Sequence, residues 1–287
     1  MSEYLDATRI RTLAASLNLK PSKGRGQNFL FDANTVRRIV GLAGITDADT
    51  ILEIGPGLGS LTVGLLHTGA QVVAVEIEPV LAEQLPKTMA DLAPDKVKNL
   101  TVLQEDALRM GPVTPEPTML VANLPYNISV PVILHVLKTM PSITHGLVMV
   151  QLEVADRLAA PPGSKVYGVP SAKLAWYASA SRVGTVPSTV FWPAPNVESG
   201  LVRFVRRDPP PEADRQATFA VIDAAFSQRR KMLRSVLTSA YGPTARVALE
   251  QAGISPEARG ETLSIDDFAR LAVILPKAGS PSVGKRS

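Results

Sequence analysis

Apolar and polar positions fall into two different rhythms along the chain. Residues 7–17 carry apolar side chains at roughly helical spacing and predict a leading helix. Residues 20–26 break that pattern with a Gly/Lys/Arg loop. A β/α alternation then begins. Residues 50–54 form a short apolar run stopped by Gly55, as expected of a buried strand. Residues 60–66 predict a helix ended by Gly69, and 71–76 predict a second strand. Residues 79–92 predict a helix that Pro86 should kink or split. Residues 100–104 and 118–122 predict two more strands, 130–140 a helix and 147–152 a fifth strand. Strands alternating with helices at this spacing predict a parallel sheet covered on both faces.

After residue 160 the rhythm changes. Pro161-Pro162-Gly163 predicts a loop, 172–179 a helix, and 183–186 with 201–205 a closing strand pair. Pro187, Pro193 and Pro195 lie between those strands. Pro209-Pro210-Pro211 is the clearest boundary in the chain. Beyond it the spacing predicts only helices, at 215–227, 229–240, 244–252 and 264–275. Ser264 with Asp267 is a capping signature for the last one. The expected organisation is a helix and basic loop at 1–26, a Rossmann-like α/β domain at 27–207, a small all-α domain at 208–276 and a disordered tail at 277–287. No internal repeat is visible.

Composition narrows the function classes. A chain of 287 residues, 45% hydrophobic and 20% charged, has room for one large domain with an appendage, or for two. No apolar run approaches 18 residues, so no membrane span is expected. Glu3, Asp6, Arg9 and Arg11 precede any apolar stretch, unlike a secretion signal. A soluble cytoplasmic protein is the expectation. With no cysteine, disulfides and thiolate chemistry are excluded. His67, His135 and His145 are too scattered to predict a metal centre. The charge is uneven. Residues 1–38 hold seven basic and three acidic side chains, 49–116 hold four and ten, and 203–234 hold eight and four. Basic flanks suit a polyanion such as nucleic acid. The acidic middle suits a cationic small ligand.

The chemistry concentrates after the first two strands of the β/α region. Glu53-Ile54-Gly55-Pro56-Gly57-Leu58-Gly59-Ser60 joins strand to helix with glycines that allow a tight turn and close ligand approach. A dinucleotide loop would read G-x-G-x-x-G, but Ser60 stands at the third glycine. Glu76 ends the next strand, where an acid can hold both hydroxyls of a ribose. Glu53 would repel a pyrophosphate but tolerate a sulfonium cation. The combination points to S-adenosylmethionine. Glu105-Asp106 follows the third strand of the alternation. Asp106 either accepts the amine of a cofactor adenine or caps a helix.

Asn123-Leu124-Pro125-Tyr126 follows the next strand, at the edge where open α/β sheets bind ligands. The exocyclic amine of a nucleobase is a poor nucleophile because its lone pair is delocalised into the ring. The Asn123 side-chain oxygen and the Leu124 carbonyl can each accept an amine N–H and aim that lone pair at a methyl carbon. Pro125 fixes the turn, and Tyr126 can stack on the base. Phe191, before a Pro-rich turn, is a candidate for the opposite wall.

These segments resemble the family of small-subunit rRNA adenine dimethyltransferases. The likeness is carried by Gly26-Gln27-Asn28-Phe29-Leu30, Glu53 to Thr62, Glu76, Asp106, Asn123 to Ser129, Glu153-Val154-Ala155, Tyr167-Gly168, Phe191 to Ser199 and Phe226 to Leu233, in order along the chain. It implies a cofactor site formed by Asn28, Leu30, Gly55, Gly57, Glu76, Ile77, Asp106, Ala107 and Asn123. It also implies that two adjacent adenines in the 3′-terminal hairpin of 16S rRNA each receive two methyl groups, within the small ribosomal subunit, by a monomer that needs no metal. Leu152 and Val169-Pro170 depart from the family pattern, around an RNA-facing loop. Lys23 and Arg25, with Arg229, Arg230, Lys231 and Arg234, are expected to contact RNA phosphates. The last four fall within one expected helix, on which Arg230 and Arg234 would share a face. Two other readings remain open from sequence. One is a 23S rRNA adenine methyltransferase of the resistance type, and the other a non-catalytic ribosome-assembly factor.

Overall fold

The apolar runs become the strands of one seven-stranded sheet in the computed structural model, which describes residues 3–20 and 27–276. α1 (Ala7–Ser16) starts at Asp6, whose carboxylate accepts the Arg9 N–H at 2.8 Å. β1 (Phe29–Leu30) leads to α2 (Ala33–Ala43), an element the spacing argument did not anticipate. Its core face is Val36, Ile39 and Ala43, and Asp32 caps it. β2 (Thr50–Ile54), α3 (Ser60–His67), β3 (Gln71–Glu76) and α4 (Pro79–Leu92) follow. Then come β4 (Leu100–Gln104), β5 (Met119–Asn123), α5 (Ser129–Thr139) and β6 (His145–Gln151). The expected kink at Pro86 is not a break, because α4 runs through it as one helix. Leu81, Leu85 and Met89, on both sides of the proline, are buried in one core and hold the helix together across the missing hydrogen bond.

α6 (Leu152–Leu158) begins one residue after β6, so Leu152 is helical and not the end of a strand. α7 (Val169–Ala175) and β7 (Ala178–Val186) come next. The expected helix over 172–179 thus lies earlier, and its last residues belong to a strand. β8 (Phe191–Trp192) pairs only with β1, antiparallel, and β9 (Ser199–Arg206) returns to the sheet. The strand order is β4-β3-β2-β5-β6-β9-β7. β2 to β6 pair in parallel, and β9 runs antiparallel to β6. β2, β3, β5 and β6 are almost wholly buried, which is why each reads as a continuous apolar run.

The chain divides into two units. The first comprises Met1–Asp156 and Ala180–Arg206, and so includes the leading helix expected to stand apart. Ile10 and Ala14 of α1 are buried in the core of the sheet unit. The second comprises Arg157–Ser179 and Arg207–Ser287. Assigning 27–207 to a single domain therefore needs correction, because 157–179 belong with the helices. The reasons are local. The Tyr167 hydroxyl donates to the Leu263 carbonyl at 2.8 Å, and Lys173 pairs with Asp223 at 2.7 Å. The Trp176 and Tyr177 rings meet Phe219 edge-on, each at 6.2 Å. The helices of this unit are α8 (Arg215–Phe226), α9 (Leu233–Tyr241), α10 (Thr244–Gln251) and α11 (Ile265–Ile274). Ser264 and Asp267 cap α11 reciprocally, as their spacing predicted. The tail at 277–287 lies outside the described residues. No helix among the described residues is long and apolar enough to cross a membrane.

Candidate active site at the carboxyl edge of the sheet

The parallel strands end at one edge, and three of them deliver the predicted chemistry there. After β2 the chain turns through Gly55-Pro56-Gly57-Leu58-Gly59 into α3. Gly57 has φ +58°, and a Cβ on it would stand 3.0 Å from the Phe29 ring. Gly59 caps α3 at φ +98°, where a Cβ would meet Met89 at 2.7 Å and Leu85 at 2.8 Å. Both positions therefore demand glycine, for conformation and for space. Glu76 closes β3 beside this turn. Its Oε2 accepts the Gly57 N–H at 3.1 Å and its Oε1 the Glu78 N–H at 3.0 Å. Burial pushes the Glu76 carboxyl above its ordinary range, and those amides pull the other way.

Asn123 ends β5, in register with Met149 of β6. The Leu124 N–H donates to the Met149 carbonyl at 3.0 Å, which keeps the tetrapeptide tied to the sheet as it leaves it. The Tyr126 hydroxyl is hydrogen-bonded to Ser199 Oγ at 2.9 Å, across to the start of β9. Burial raises the Tyr126 phenol above its usual range, so it stays protonated.

A cavity of about 440 Å³ opens at this edge. Asn28 and Leu30 line it from the β1 side, Gly55 and Gly57 from the turn, and Glu76 with Ile77 from β3. Asn123, Leu124, Pro125 and Tyr126 close it. A neighbouring groove of about 470 Å³ shares Asn28 and Tyr126 and continues along Gln151 and Pro193 to Val197. The Pro193 to Val197 wall falls within the Phe191 to Ser199 segment that carries the family likeness, but none of these five residues was assigned a role from sequence.

Three expected site residues are not brought into either space. Asp106 accepts the Leu108 N–H at 2.9 Å and so closes the turn after β4, where no helix follows for it to cap. It stands two residues beyond Gln104, the register partner of Glu76. Ala107 is buried beside it. Phe191 is 3% exposed, because β8 pairs it with Leu30 and packs it into the core.

Two further groups face the cavity. Glu53 lines it from β2 while only 1% exposed, and its Oε2 has no hydrogen-bond partner among the described residues. Burial pushes its carboxyl up to about 8, and the nearby Glu76 charge adds to the push. Thr62 lies close enough to soften that push but makes no hydrogen bond to it. Ser60 Oγ also lines the cavity without a partner among the described residues. Acceptors for paired hydroxyls at Glu76, an exposed Ile77 side chain as an apolar wall and a buried acid at Glu53 fit a nucleoside carrying a cationic appendage. The volume is in the range of small-molecule sites.

The basic cluster of the second unit differs from expectation. Residues 227–230 form a turn and α9 starts only at Leu233, so Arg230 and Arg234 do not share a helical face. The turn is imposed by burial of Leu233, Val236 and Leu237, while the Leu233 and Arg234 amides donate to Ala258 and Pro256 carbonyls. Arg229 is engaged structurally, 3.2 Å from Glu261 Oε2 and 2.5 Å from the Lys165 carbonyl. Arg234 lies 3.9 Å from Glu257 on the surface. Arg230 and Lys231 are exposed and form no ion pair with a described residue. Lys23 and Arg25 lie outside the described residues.

Sheet order, glycine turn and edge cavity define a Rossmann-like fold of the S-adenosylmethionine-dependent methyltransferase kind. The solved structures agree. A 23S rRNA methyltransferase, ErmE, aligns at 27% identity with TM-score 0.63, over 86% of this chain and 99% of that one. A dimethyladenosine transferase from Plasmodium falciparum shares the fold at TM-score 0.74 and 24% identity, over 86% of this chain and 99% of that one. The chain belongs to the ribosomal RNA adenine dimethylase family, whose profile matches residues 18–277. A relative from Cutibacterium acnes, "Ribosomal RNA small subunit methyltransferase A", is 57% identical over 98% of both chains. The protein of that name from Thermobifida fusca is 57% identical over 94% of this chain and 96% of its own.

Proposed function

We propose that this protein dimethylates the exocyclic N6 of two adjacent adenines in the 3′-terminal hairpin of 16S rRNA, using S-adenosylmethionine, and so takes part in small-subunit biogenesis. The observation that carries the reading is the placement of Asn123 to Tyr126 on the same cavity as the glycine turn and Glu76. The near full-length relatives named for the small subunit favour 16S over 23S rRNA.

When bound, S-adenosylmethionine supplies a methyl group made electrophilic by its sulfonium sulfur. Glu76 accepts the ribose hydroxyls, with its carboxylate aimed by the Gly57 and Glu78 amides. Ile77 covers the adenine of the cofactor, and Asn28 and Leu30 close the cavity from the far side. The target adenine enters along the groove that Tyr126 shares with the cavity, and the Tyr126 ring stacks on it. Asn123 Oδ1 and the Leu124 carbonyl accept the amine N–H groups, turning the nitrogen lone pair toward the methyl group. After one methylation a single N–H remains, so the second transfer proceeds with one of those acceptors unpaired. Arg230 and Lys231 meet rRNA phosphates.

Transfer of labelled methyl groups to small subunits that lack the modification tests the reading. Four methyl groups on two neighbouring adenines are expected. Label on large-subunit rRNA, or none at all, would overturn it, the latter in favour of an assembly factor.

A further inference from the structure

We propose that Ser199 is a positioning residue for methyl transfer. Its buried hydroxyl pins the Tyr126 ring in the base groove, and that hold decides whether transfer runs on from one methyl group to two. The inference rests on the proposed function above and deepens it.

Ser199 opens β9 and is fully buried at 0% exposure, in a strand that continues as Gly200-Leu201-Val202. A hydroxyl in such a place costs stability unless it is hydrogen-bonded. Its Oγ meets the Tyr126 hydroxyl at 2.9 Å and no other partner among the described residues. Alanine would fill the same space. The hydroxyl therefore serves Tyr126.

The anchor itself is fixed. Ser199 stands in register with Gln151 at the end of β6, and the Leu152 N–H donates to the Glu198 carbonyl at 2.9 Å. Gln151 lines the base groove, and so does the Pro193 to Val197 wall that runs into Ser199. The hydrogen bond thus ties the ring on one side of the groove to the strand that carries its other side. A tyrosine ring swings about two side-chain bonds, and holding its far end stops that swing.

The hold matters unequally for the two transfers. In each, the amine lone pair forms the new C–N bond, the S–C bond breaks with its pair left on sulfur, and one N–H proton leaves to water. The unmodified amine has two N–H groups for Asn123 and the Leu124 carbonyl. The monomethylated amine has one, so stacking on Tyr126 supplies a larger share of its orientation. Releasing the ring should slow the second transfer more than the first.

The test uses the full chain, S-adenosylmethionine and small subunits that lack the modification. Single-turnover products are digested to nucleosides, and mono- and dimethyladenosine are separated by mass. Wild type should run to dimethyladenosine. Ser199→Ala should slow the second transfer by roughly two- to tenfold, the worth of one neutral hydrogen bond, and accumulate monomethyladenosine. Its affinity for S-adenosylmethionine should stay that of wild type. Tyr126→Phe keeps the ring and breaks the same bond, so it should show the same product. The double variant should lose no more than either single one. A wild-type product ratio in Ser199→Ala overturns the proposal. So do losses that multiply in the double variant. A purely structural bond predicts the reverse, because removing both partners leaves neither unsatisfied. Dimethylation that recovers in the double variant together with its melting temperature therefore also overturns it. If Ser199→Ala fails to melt cooperatively, Tyr126→Phe decides. No methylation by wild type would overturn the rRNA reading on which the inference rests.

Discussion

Glu76 Oε2 accepts the Gly57 N–H at 3.1 Å, so the acid that ends β3 also holds the turn that follows β2. One side chain thus links the group proposed to read the ribose to the loop that lets the cofactor approach. Removing it should have two effects at once.

Glu76→Ala should lose charge-assisted hydrogen bonds to the ribose, roughly 1.5–3 kcal/mol each. It should also free the Gly57 amide. We expect cofactor affinity to fall at least tenfold by calorimetry, with Glu76→Gln retaining part of it. Equal affinity in all three proteins would remove the ribose assignment.

Asn123→Ala separates chemistry from binding. Asn123 lines the cavity at the end of β5, and its side chain bonds no other described residue, so truncation leaves the scaffold satisfied. Loss of one preorganised acceptor should slow methyl transfer by about 10²–10³. Single-turnover measurements should show that loss at saturating cofactor, with a much smaller change in cofactor affinity. A normal single-turnover rate would end the orienting role.

The sheet was legible because buried parallel strands write themselves as apolar runs. β2, β3 and β4 stand where the pattern placed them, since glycines or loops bound each one. α2 was missed because its core face is only Val36, Ile39 and Ala43, diluted by Arg37 and Arg38. The site was legible wherever backbone geometry demands a residue type, as at Gly57. It was not legible where a role depends on what packs nearby. Phe191, before a Pro-rich turn, reads as the opposite wall of the base site, yet pairing with Leu30 buries it in the core. The run Arg229-Arg230-Lys231 reads as helix, yet Leu233 turns the chain to reach the core. Segment 157–179 reads as an appendage of the sheet because its anchors, Phe219, Asp223 and Leu263, lie over 40 residues further along the chain.

Glu53 also makes stability depend on pH. Its carboxyl is raised from an ordinary 4.5 to about 8 in the folded protein. Below about 4.5 both folded and unfolded chains hold the proton. Between 4.5 and 8 the unfolded chain releases it and the folded chain keeps it. The contribution to stability is therefore complete at low pH and is lost as pH rises toward 8, by up to about 1.4 kcal/mol per pH unit. Urea melts from pH 5 to pH 8 should show wild type losing stability with pH relative to Glu53→Gln. Parallel curves would mean that the carboxyl is already ionised in the folded state.

The basic turn between α8 and α9 divides into a structural and a binding part. Arg229 is tied to Glu261 and to the Lys165 carbonyl, so Arg229→Ala should leave two polar partners unsatisfied and lower the melting temperature. Arg230 and Lys231 are exposed, and neither forms an ion pair with a described residue. Arg230→Ala with Lys231→Ala should therefore melt as wild type does. If both side chains meet single-stranded phosphates, the double variant should lower the salt slope of RNA binding by roughly 1.4. Contacts to duplex would lower it by somewhat more. Turnover at saturating RNA should fall less than affinity, because the change is electrostatic and removes no residue of the cavity. Measuring binding across several salt concentrations, with a melting curve for each variant, distinguishes the cases. An unchanged slope in the double variant would make the pair ordinary solvated surface. A loss of slope in Arg229→Ala at unchanged melting temperature would return that arginine to the RNA.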